Sequence, residues 1–328
     1  MKKYVVITTI FEPSDAVKLI ADLPDVDLII VGDKKTPEDW HCKGAEYFSV
    51  DRQVELGFEL SHILPFNHYC RKMIGYLVAA KDGAAMIIDT DDDNLPKPNW
   101  GFPPFGEAYQ AIAPNHGFVN IYQWYTRQMI WPRGIPLDLI KTSFDLRSLS
   151  AERICNVGIW QGLADDDPDV DAIYRLTSDE ACNFDSAEPV VLSKGTVCPF
   201  NSQNTAIRKE LFALLYLPTS VTFRFTDILR GLVAQPIMWA AGYELGFTEA
   251  TVVQERNPHD LMKDFVSEVP MYLRGHDVVD IVSQALVPDD SVENNLRRAY
   301  AALLVEDIVS KSEILTLDAW LTDLSAIS

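Results

Sequence analysis

The chain has 328 residues, 48% of them hydrophobic, which suffices for one large domain or two modest ones. Its formal net charge of −20 at pH 7 gives a surface that repels phosphate backbones, so nucleic acid is not expected as a partner. No apolar stretch approaches the ~18 residues of a membrane span, and the five cysteines lack the C-x-x-C spacing of zinc or redox sites. We therefore expect a cytoplasmic protein with reduced thiols and without a membrane span.

The first ninety residues alternate between strand-like and helix-like patterns. Apolar, β-rich segments at residues 4–10, 26–33, 45–50 and 84–89 predict strands, and the first of them lacks the cleavage site of a signal peptide. Residues 67–83 predict a helix that ends at Gly83. Continuous apolar strands that alternate with helices indicate an α/β fold with a mostly parallel central sheet flanked by helices. Ligands of such sheets bind at the carboxyl ends of the strands.

The remainder of the chain shows no repeat and no clear linker. Residues beyond about 95 are rich in proline, tryptophan and loop signals, and the last sixty residues have the spacing of amphipathic helices. We predict a catalytic domain at residues 1–265 and a helical C-terminal extension at 266–328 that packs on the same domain.

An acidic run follows the predicted fourth strand, within the sequence IIDTDDDN. It comprises Asp89, Asp91, Asp92 and Asp93 and is called the acidic run below. A solvated turn is one explanation, because Asp and Asn favour strand-ending turns. An EF-hand calcium loop is excluded, since Asn94 and Trp100 stand where that loop needs Gly and Glu. The DTD pattern fits the haloacid-dehalogenase phosphatases only weakly, because Asp93 replaces the Thr or Val that follows there.

A further explanation is the D-x-D element of nucleotide-sugar enzymes. In such enzymes two carboxylates hold a divalent metal that neutralises the pyrophosphate as the sugar leaves. Hard oxygen ligands suit Mn²⁺ or Mg²⁺. In an extended segment alternate residues face the same way, so we expect Asp91 and Asp93 to reach one metal and Asp92 to point elsewhere.

Several other segments, in colinear order, resemble the STELLO family of glycosyltransferases. The resemblance implies a GT-A nucleotide-diphospho-sugar fold, and distantly it extends to the reversibly glycosylated polypeptides, which are UDP-arabinopyranose mutases. It implies metal-dependent transfer from a UDP-sugar to an unidentified glycan or protein acceptor, with a UDP-sugar mutase or a non-catalytic scaffold as alternatives. Besides the acidic run, the matching segments are VVITTIFEP (5–13), VGDKKTPEDW (31–40), LPFNHYCRKMIGYL (64–77), WPRGIPL (131–137), DDDPDVDAIYRLT (165–177), CPFNSQNT (198–205), FTDILRGLVAQPIMW (225–239) and VVQERNPHDLMKDF (252–265).

The resemblance also implies a set of residues that bind the nucleotide sugar and its metal. For each of them an ordinary structural role is the alternative. The implied metal ligands are Asp91, Asp93 and His259. The implied nucleotide-sugar contacts are Thr8, Thr9, Ile10, Asp33, Arg71, Lys72, Asp91 and Asp92, with sugar or acceptor contacts at Asp169, Asp171 and the polar segment 200–205.

Three further residues have an implied catalytic role. Asp227, near the start of a predicted helix, resembles the base that activates the acceptor hydroxyl, or is an N-cap. Arg230 is then expected to hold Asp227 or a phosphate. Arg133 matches the arginine of the RG-x-P segment that becomes glycosylated in the mutases; a protonated guanidinium is a poor nucleophile, so we expect it to pair with the diphosphate or sugar instead.

Overall fold

The computed structural model describes residues 2–178, 180–255 and 260–327. The strands are β1 (Lys3–Thr8), β2 (Asp27–Val31), β3 (Ala45–Phe48), β4 (Met86–Thr90), β5 (Asn94–Pro96), β6 (Ala108–Ile112), β7 (Gly117–Phe118), β8 (Ser150–Ile154), β9 (Val157–Asp165), β10 (Val190–Leu192), β11 (Thr196–Val197), β12 (Asn204–Arg208) and β13 (Glu244–Gln254). The helices are α1 (Asp15–Ala21), α2 (Val50–Glu55), α3 (Leu60–Ile63), α4 (Lys72–Lys81), α5 (Tyr122–Tyr125), α6 (Ala172–Thr177), α7 (Thr226–Ala240), α8 (Leu261–Ala285), α9 (Val292–Val305) and α10 (Lys311–Ile327), with 3-10 turns at Tyr69–Arg71 and Lys209–Leu215.

One central sheet has the strand order β3-β2-β1-β4-β12-β9-β13-β10-β6-β8, and β5 pairs with the far end of β13. The four strands nearest the N-terminus pair in parallel, as predicted. The second half mixes directions, because β12 runs antiparallel to both β4 and β9 while β9 and β13 are parallel. Helices cover the sheet, which confirms the predicted α/β class with a helical C-terminal segment.

Helix α4 packs directly on the parallel half of the sheet at a glycine. A Cβ atom at Gly75 would lie 2.6 Å from a methyl carbon of Val6 and 2.8 Å from one of Val31. The absence of a side chain therefore permits a close approach between helix and sheet. On its other side α4 contacts α10, and its first residue, Lys72, is fully buried.

The C-terminal helices pack on the rest of the fold. Helix α8 contacts α7, and α10 contacts α3, α4 and α9. Because α8 runs from residue 261 to 285, it crosses the predicted boundary at 265/266. The division into a domain and an extension thus stays a prediction, and the described helices show no break at that point. No helix in residues 2–178, 180–255 and 260–327 is long and apolar enough to cross a bilayer.

Glu313 of α10 is a buried anchor for this packing. Its carboxylate accepts the hydroxyl of Tyr216 and the backbone N–H groups of Thr219 (3.0 Å) and Ser220 (2.7 Å). We expect Glu313→Ala to lower the free energy of unfolding by about 2–4 kcal/mol, because one buried and two partly buried donors lose their acceptor. Urea denaturation measures this loss. The control Glu306→Ala removes an exposed carboxylate and should cost less than about 1 kcal/mol; equal losses would contradict the anchoring role.

Candidate functional site

Two adjoining cavities open at the carboxyl ends of the parallel strands. The first, called the acidic pocket, has a volume of about 240 Å³. The second, called the aromatic cleft, has about 200 Å³. The two share Thr8, Tyr69, Asp92 and Phe223. The acidic pocket is further lined by Asp91, Asp93, Arg133, Asp169, Arg175, Asn201, Ser202, Gln203, Arg224, Asp227 and Gln254.

Sheet topology brings these residues together. Strands β1 and β4 are parallel neighbours, so Thr8 and the acidic run emerge at the same edge. Strand β12 starts opposite the end of β4, with Asn204 facing Thr90, and places the preceding segment 201–203 over the acidic run. Gln254 arrives at the end of β13, next to β5.

The carboxylates of the acidic run have different environments. Asp89 is fully buried and forms ion pairs with Lys72 (2.9 Å) and Arg230 (2.7 Å). One oxygen of Asp91 accepts from Lys72 at 2.6 Å. The Oδ2 atom of Asp93 accepts from Gln254 at 3.3 Å, whereas its Oδ1 atom is buried and has no hydrogen-bond partner.

Asp92 also faces the cavities, although the extended pattern predicted that it points elsewhere. The prediction is wrong because residues 92 and 93 form a turn between β4 and β5 and not an extended strand. The Thr9 hydroxyl donates to Asp92 Oδ2, and the Ser14 hydroxyl donates to its backbone carbonyl. Asp92 therefore links the first strand to the acidic run while it lines both cavities.

The pKa values of Asp91 and Asp93 are both raised, which indicates that too few positive charges lie near these two carboxylates. Although 38% of the Asp91 side chain is open to the pocket, burial raises its pKa to about 7, with Lys72 opposing and Asp93 adding to the shift. Burial also raises the pKa of Asp93, and the neighbouring charge of Asp92 adds to this. Five carboxylates and three guanidiniums line the described part of the pocket, so its net charge is negative.

These features fit a divalent cation that is shared with a substrate. Asp93 Oδ1 and the second oxygen of Asp91 are hard ligands without a described partner. No cluster of three or more His, Cys, Asp or Glu side chains forms a complete metal site in the ranges that the structure describes. The remaining ligands would thus come from elsewhere. The predicted third ligand, His259, lies outside the described residues.

Arg133 lines the acidic pocket, and each of its N–H groups donates a hydrogen bond to another part of the protein. Its Nε and Nη2 atoms donate to the two oxygens of Asp169 at 2.8 and 2.9 Å. Its Nη2 and Nη1 atoms donate to the two oxygens of Asp227 at 3.0 and 3.1 Å, and Nη1 also donates to the carbonyl of Arg224. A guanidinium has five N–H donors, and all five are used. In this arrangement Arg133 has no free N–H group to offer a diphosphate, and its expected contact with the diphosphate or sugar stays a prediction.

Asp227 is held as an ion-pair partner of Arg133. Burial alone would raise the pKa of Asp227, but the charge and hydrogen bonds of Arg133 lower it to about 2. Its carboxylate also accepts from the backbone of Ser202 and Ile228. An ionised carboxylate with so low a pKa is a weak base. The geometry thus favours a structural role for Asp227 over the base that the resemblance implies.

Three predicted phosphate-facing cations point inward instead. Arg230 pairs with Asp89 and the carbonyl of Asn201, and does not hold Asp227. Lys72 is enclosed beneath the acidic run. Arg71 is fully buried and donates to the side chain of Gln53 at 2.6 and 2.9 Å, although part of its side chain lines the aromatic cleft.

The aromatic cleft contains most of the predicted nucleotide contacts. Its walls include Thr8, Thr9, Ile10, Asp33 and Arg71. The carboxylate of Asp33 already accepts three backbone N–H groups, those of residues 34, 67 and 68. Asp33 therefore shapes the loop that forms one wall of the cleft.

Aromatic side chains separate the cleft from the acidic pocket. His68 stacks on Tyr69, with ring centroids 5.1 Å apart, and Phe223 meets Tyr69 edge-on at 4.7 Å. Burial lowers the pKa of His68 to about 4, so its ring is neutral at pH 7. Tyr69, Phe223 and Gln254 were missing from the sequence prediction. Tyr69 lies within a quoted family segment, whereas Phe223 lies outside every such segment.

Asp169 faces the acidic pocket, whereas Asp171 is buried away from it. Asp169 lines the acidic pocket and binds Arg133, as described above. Asp171 is fully buried; it caps α6 through the N–H of Tyr174 and accepts from the indole of Trp131 at 2.8 Å. The predicted sugar or acceptor contact at Asp171 is therefore wrong, because its carboxylate is enclosed by the loop that it stabilises.

Asp171 gives a pH-dependent prediction. Burial raises its pKa to about 6, above the usual ~4, so its contribution to stability is largest at low pH and is lost as pH rises from about 4 to 6. Asn caps helices as well as Asp and still accepts from Trp131. We expect Asp171→Asn to raise the free energy of unfolding at pH 7 by up to about 3 kcal/mol, with the gain shrinking towards pH 4. Urea titrations at both pH values test this; a loss at pH 7 would contradict it.

Comparison with known proteins connects this site to one family. The family model described as STELLO glycosyltransferases matches residues 224–328. "Probable glycosyltransferase STELLO2" of Arabidopsis thaliana is 31% identical over 264 residues, which is 74% of this chain and 34% of that protein. "Probable glycosyltransferase STELLO1" of the same plant is 28% identical, and the alignment covers 99% of this chain and 44% of that protein. The chain thus spans less than half the length of either relative.

Among solved structures, a glucosyl-3-phosphoglycerate synthase of Mycobacterium tuberculosis, in complex with Mg²⁺ and uridine diphosphate, superposes with a TM-score of 0.38. It is 9% identical, and the alignment covers 88% of this chain and 81% of that one. The sequence comparisons confirm the resemblance that the colinear segments predict: this chain is a relative of the STELLO glycosyltransferases.

Proposed function

We propose that this protein is a metal-dependent glycosyltransferase that takes a UDP-sugar as donor, with Mn²⁺ or Mg²⁺ in the acidic pocket. The observation that carries the proposal is the unpartnered Oδ1 of Asp93 beside the half-free carboxylate of Asp91, in a cavity that adjoins an aromatic cleft. A nucleoside in the cleft would place its diphosphate at the acidic run. The kinship with glycosyltransferases supports the same reaction class.

The negative charge of the pocket explains why a metal is needed. A diphosphate that entered the described pocket alone would meet a surplus of carboxylates. A bound divalent cation supplies the charge that neutralises the diphosphate as it departs from the sugar. Asp91 and Asp93 would hold it, while Gln254 fixes the orientation of Asp93.

The opposite wall provides polar groups for the sugar. Asn201, Ser202 and Gln203 present amides and a hydroxyl, and these groups suit hydrogen bonding to sugar hydroxyls. Asn201 donates to Asp169 at 2.7 Å, so the segment is fixed to the Arg133 cluster. We infer that Arg133, Asp169 and Asp227 form a rigid, hydrogen-bonded wall that positions sugar and acceptor and excludes water.

The mutase alternative requires Arg133 to accept the sugar, and the geometry disfavours this. Burial opposes the charge, but Asp169 and Asp227 hold the pKa of Arg133 well above its usual range. A protonated guanidinium with every N–H engaged has no free nucleophilic nitrogen. Intact-mass spectrometry after incubation with a labelled UDP-sugar decides the matter: a stable sugar adduct that disappears in Arg133→Ala would establish the mutase chemistry.

The reaction class is tested by UDP release from a panel of UDP-sugars, with and without Mn²⁺. A transferase releases UDP by donor hydrolysis or, faster, when glycan or protein acceptors are added. A mutase isomerises the donor without UDP release. A scaffold does neither, and binding of UDP without turnover of any donor would favour it.

A further inference from the structure

Lys72 occupies an unusual position for a lysine. Its side chain is fully buried, and its ammonium group donates to Asp91 Oδ1 (2.6 Å), the carbonyl of Thr90 (2.7 Å) and Asp89 Oδ1 (2.9 Å). An ammonium group has three N–H donors, and these three contacts use them all. A lysine is rarely enclosed to this degree unless it is paired.

The charges around Lys72 balance without any metal. Asp89 and Asp91 carry two negative charges, while Lys72 and Arg230 carry two positive charges in direct contact with them. Asp91 is the member of this group that also faces the acidic pocket. A divalent ion bound to Asp91 would therefore share that carboxylate with the ammonium of Lys72 and would be repelled by it.

We propose that Lys72 is a built-in counter-ion that makes divalent-cation binding conditional on the nucleotide diphosphate. The inference rests on the proposed function, because a diphosphate must supply the negative charge that offsets the repulsion. With Lys72 present, Asp91 and Asp93 alone hold the cation weakly. Cation and diphosphate then strengthen each other's binding by the same factor, since linkage is reciprocal.

The test compares Mn²⁺ binding by the wild type and Lys72→Met, with and without UDP, by titration followed with electron paramagnetic resonance. We expect Lys72→Met to bind Mn²⁺ alone at least about tenfold more tightly, because Asp91 loses its counter-ion while Asp89 keeps Arg230. UDP should then raise Mn²⁺ affinity by a smaller factor than in the wild type. Lys72→Arg keeps the charge and should restore the wild-type pattern.

A matched control is available in Lys97, which pairs with Asp165 at 2.7 Å; neither residue is part of the described lining of the acidic pocket. Lys97→Met also removes one lysine from one aspartate, and it should leave Mn²⁺ affinity unchanged. If Lys72→Met binds Mn²⁺ no more tightly than the wild type, the counter-ion role is refuted. Failure of wild type and Lys97→Met to bind UDP in Mn²⁺ would instead refute the proposed function.

Loss of Lys72 leaves this group of buried charges one positive charge short, so the melting temperature is measured as a second readout. The counter-ion role predicts that Mn²⁺ raises the melting temperature of Lys72→Met more than that of the wild type, because the ion replaces the missing cation. A purely structural lysine would give a destabilised variant that Mn²⁺ does not restore. That outcome would overturn the proposal even if the variant were partly unfolded in the absence of metal.

Discussion

Replacing Asp93 by alanine is expected to weaken UDP binding in the presence of Mn²⁺ by at least about 100-fold, or about 2.7 kcal/mol, while the fold stays intact. Asp93 Oδ1 is buried and lacks a hydrogen-bond partner, so its removal costs the ligand-free protein little. Burial and the adjacent charge of Asp92 both raise the pKa of Asp93, which indicates an ionised state that the protein alone does not stabilise. The free energy of unfolding without metal should therefore hold or rise.

Isothermal titration of UDP with and without Mn²⁺ measures the effect of Asp93→Ala. The control Asp25→Ala removes the same charge from an exposed turn and should bind like the wild type. Unchanged UDP affinity in Mn²⁺ for Asp93→Ala would place the metal elsewhere. A comparable loss in metal-free buffer would show that Asp93 acts on the fold and not on the metal.

Arg133→Ala is expected to lower the free energy of unfolding by about 3–5 kcal/mol at pH 7, because Asp169 and Asp227 would remain buried without their cation. The control is Arg153→Ala. Arg153 also binds one carboxylate, that of Glu244, through two nitrogens, but its side chain is 40% exposed, so the loss should be about 1 kcal/mol or less. Losses of equal size would show that the buried cluster contributes no more than a surface pair.

The pH dependence of the Arg133→Ala deficit provides a second check. Arg133 lowers the pKa of Asp227 to about 2, below the usual ~4, so the stability gained from this pairing is complete above about pH 4 and is lost as pH falls towards 2. The difference between wild type and variant should shrink over that range. A deficit that is constant down to pH 2 would mean that lost packing, and not charge, causes it.

The sequence predicted the parallel half of the sheet and the position of the acidic run well, because both depend on local patterns. Apolar segments that alternate with helices give the strand polarity, and the carboxyl-end rule then brings Thr8 and Asp91 to one edge. The turn at Asp92 broke the expected alternation, since two aspartates in succession favour a turn over an extended strand.

The arginine clusters could not be predicted, because they depend on the order of distant strands. Arg133 and Asp169 lie in two separate loops and Asp227 lies in the first turn of α7, so the three side chains meet only in the folded tertiary structure. Lys72 similarly opens a helix whose sequence allows a solvated face. Its buried ammonium group contacts the end of β4 and the carbonyl of Ser202, which lies 130 residues later in the chain.

The position of β12 has a consequence for folding. Thr90 and Asn204 face each other although about 110 residues separate them. During synthesis β4 therefore cannot pair with β12 until the chain has been extended by that length. During that time one edge of β4, a strand that is fully buried in the folded protein, has its backbone groups unpaired, which makes it a template for pairing between chains. We expect fragments that end before residue 204 to aggregate, and nascent chains of that length to depend on chaperones.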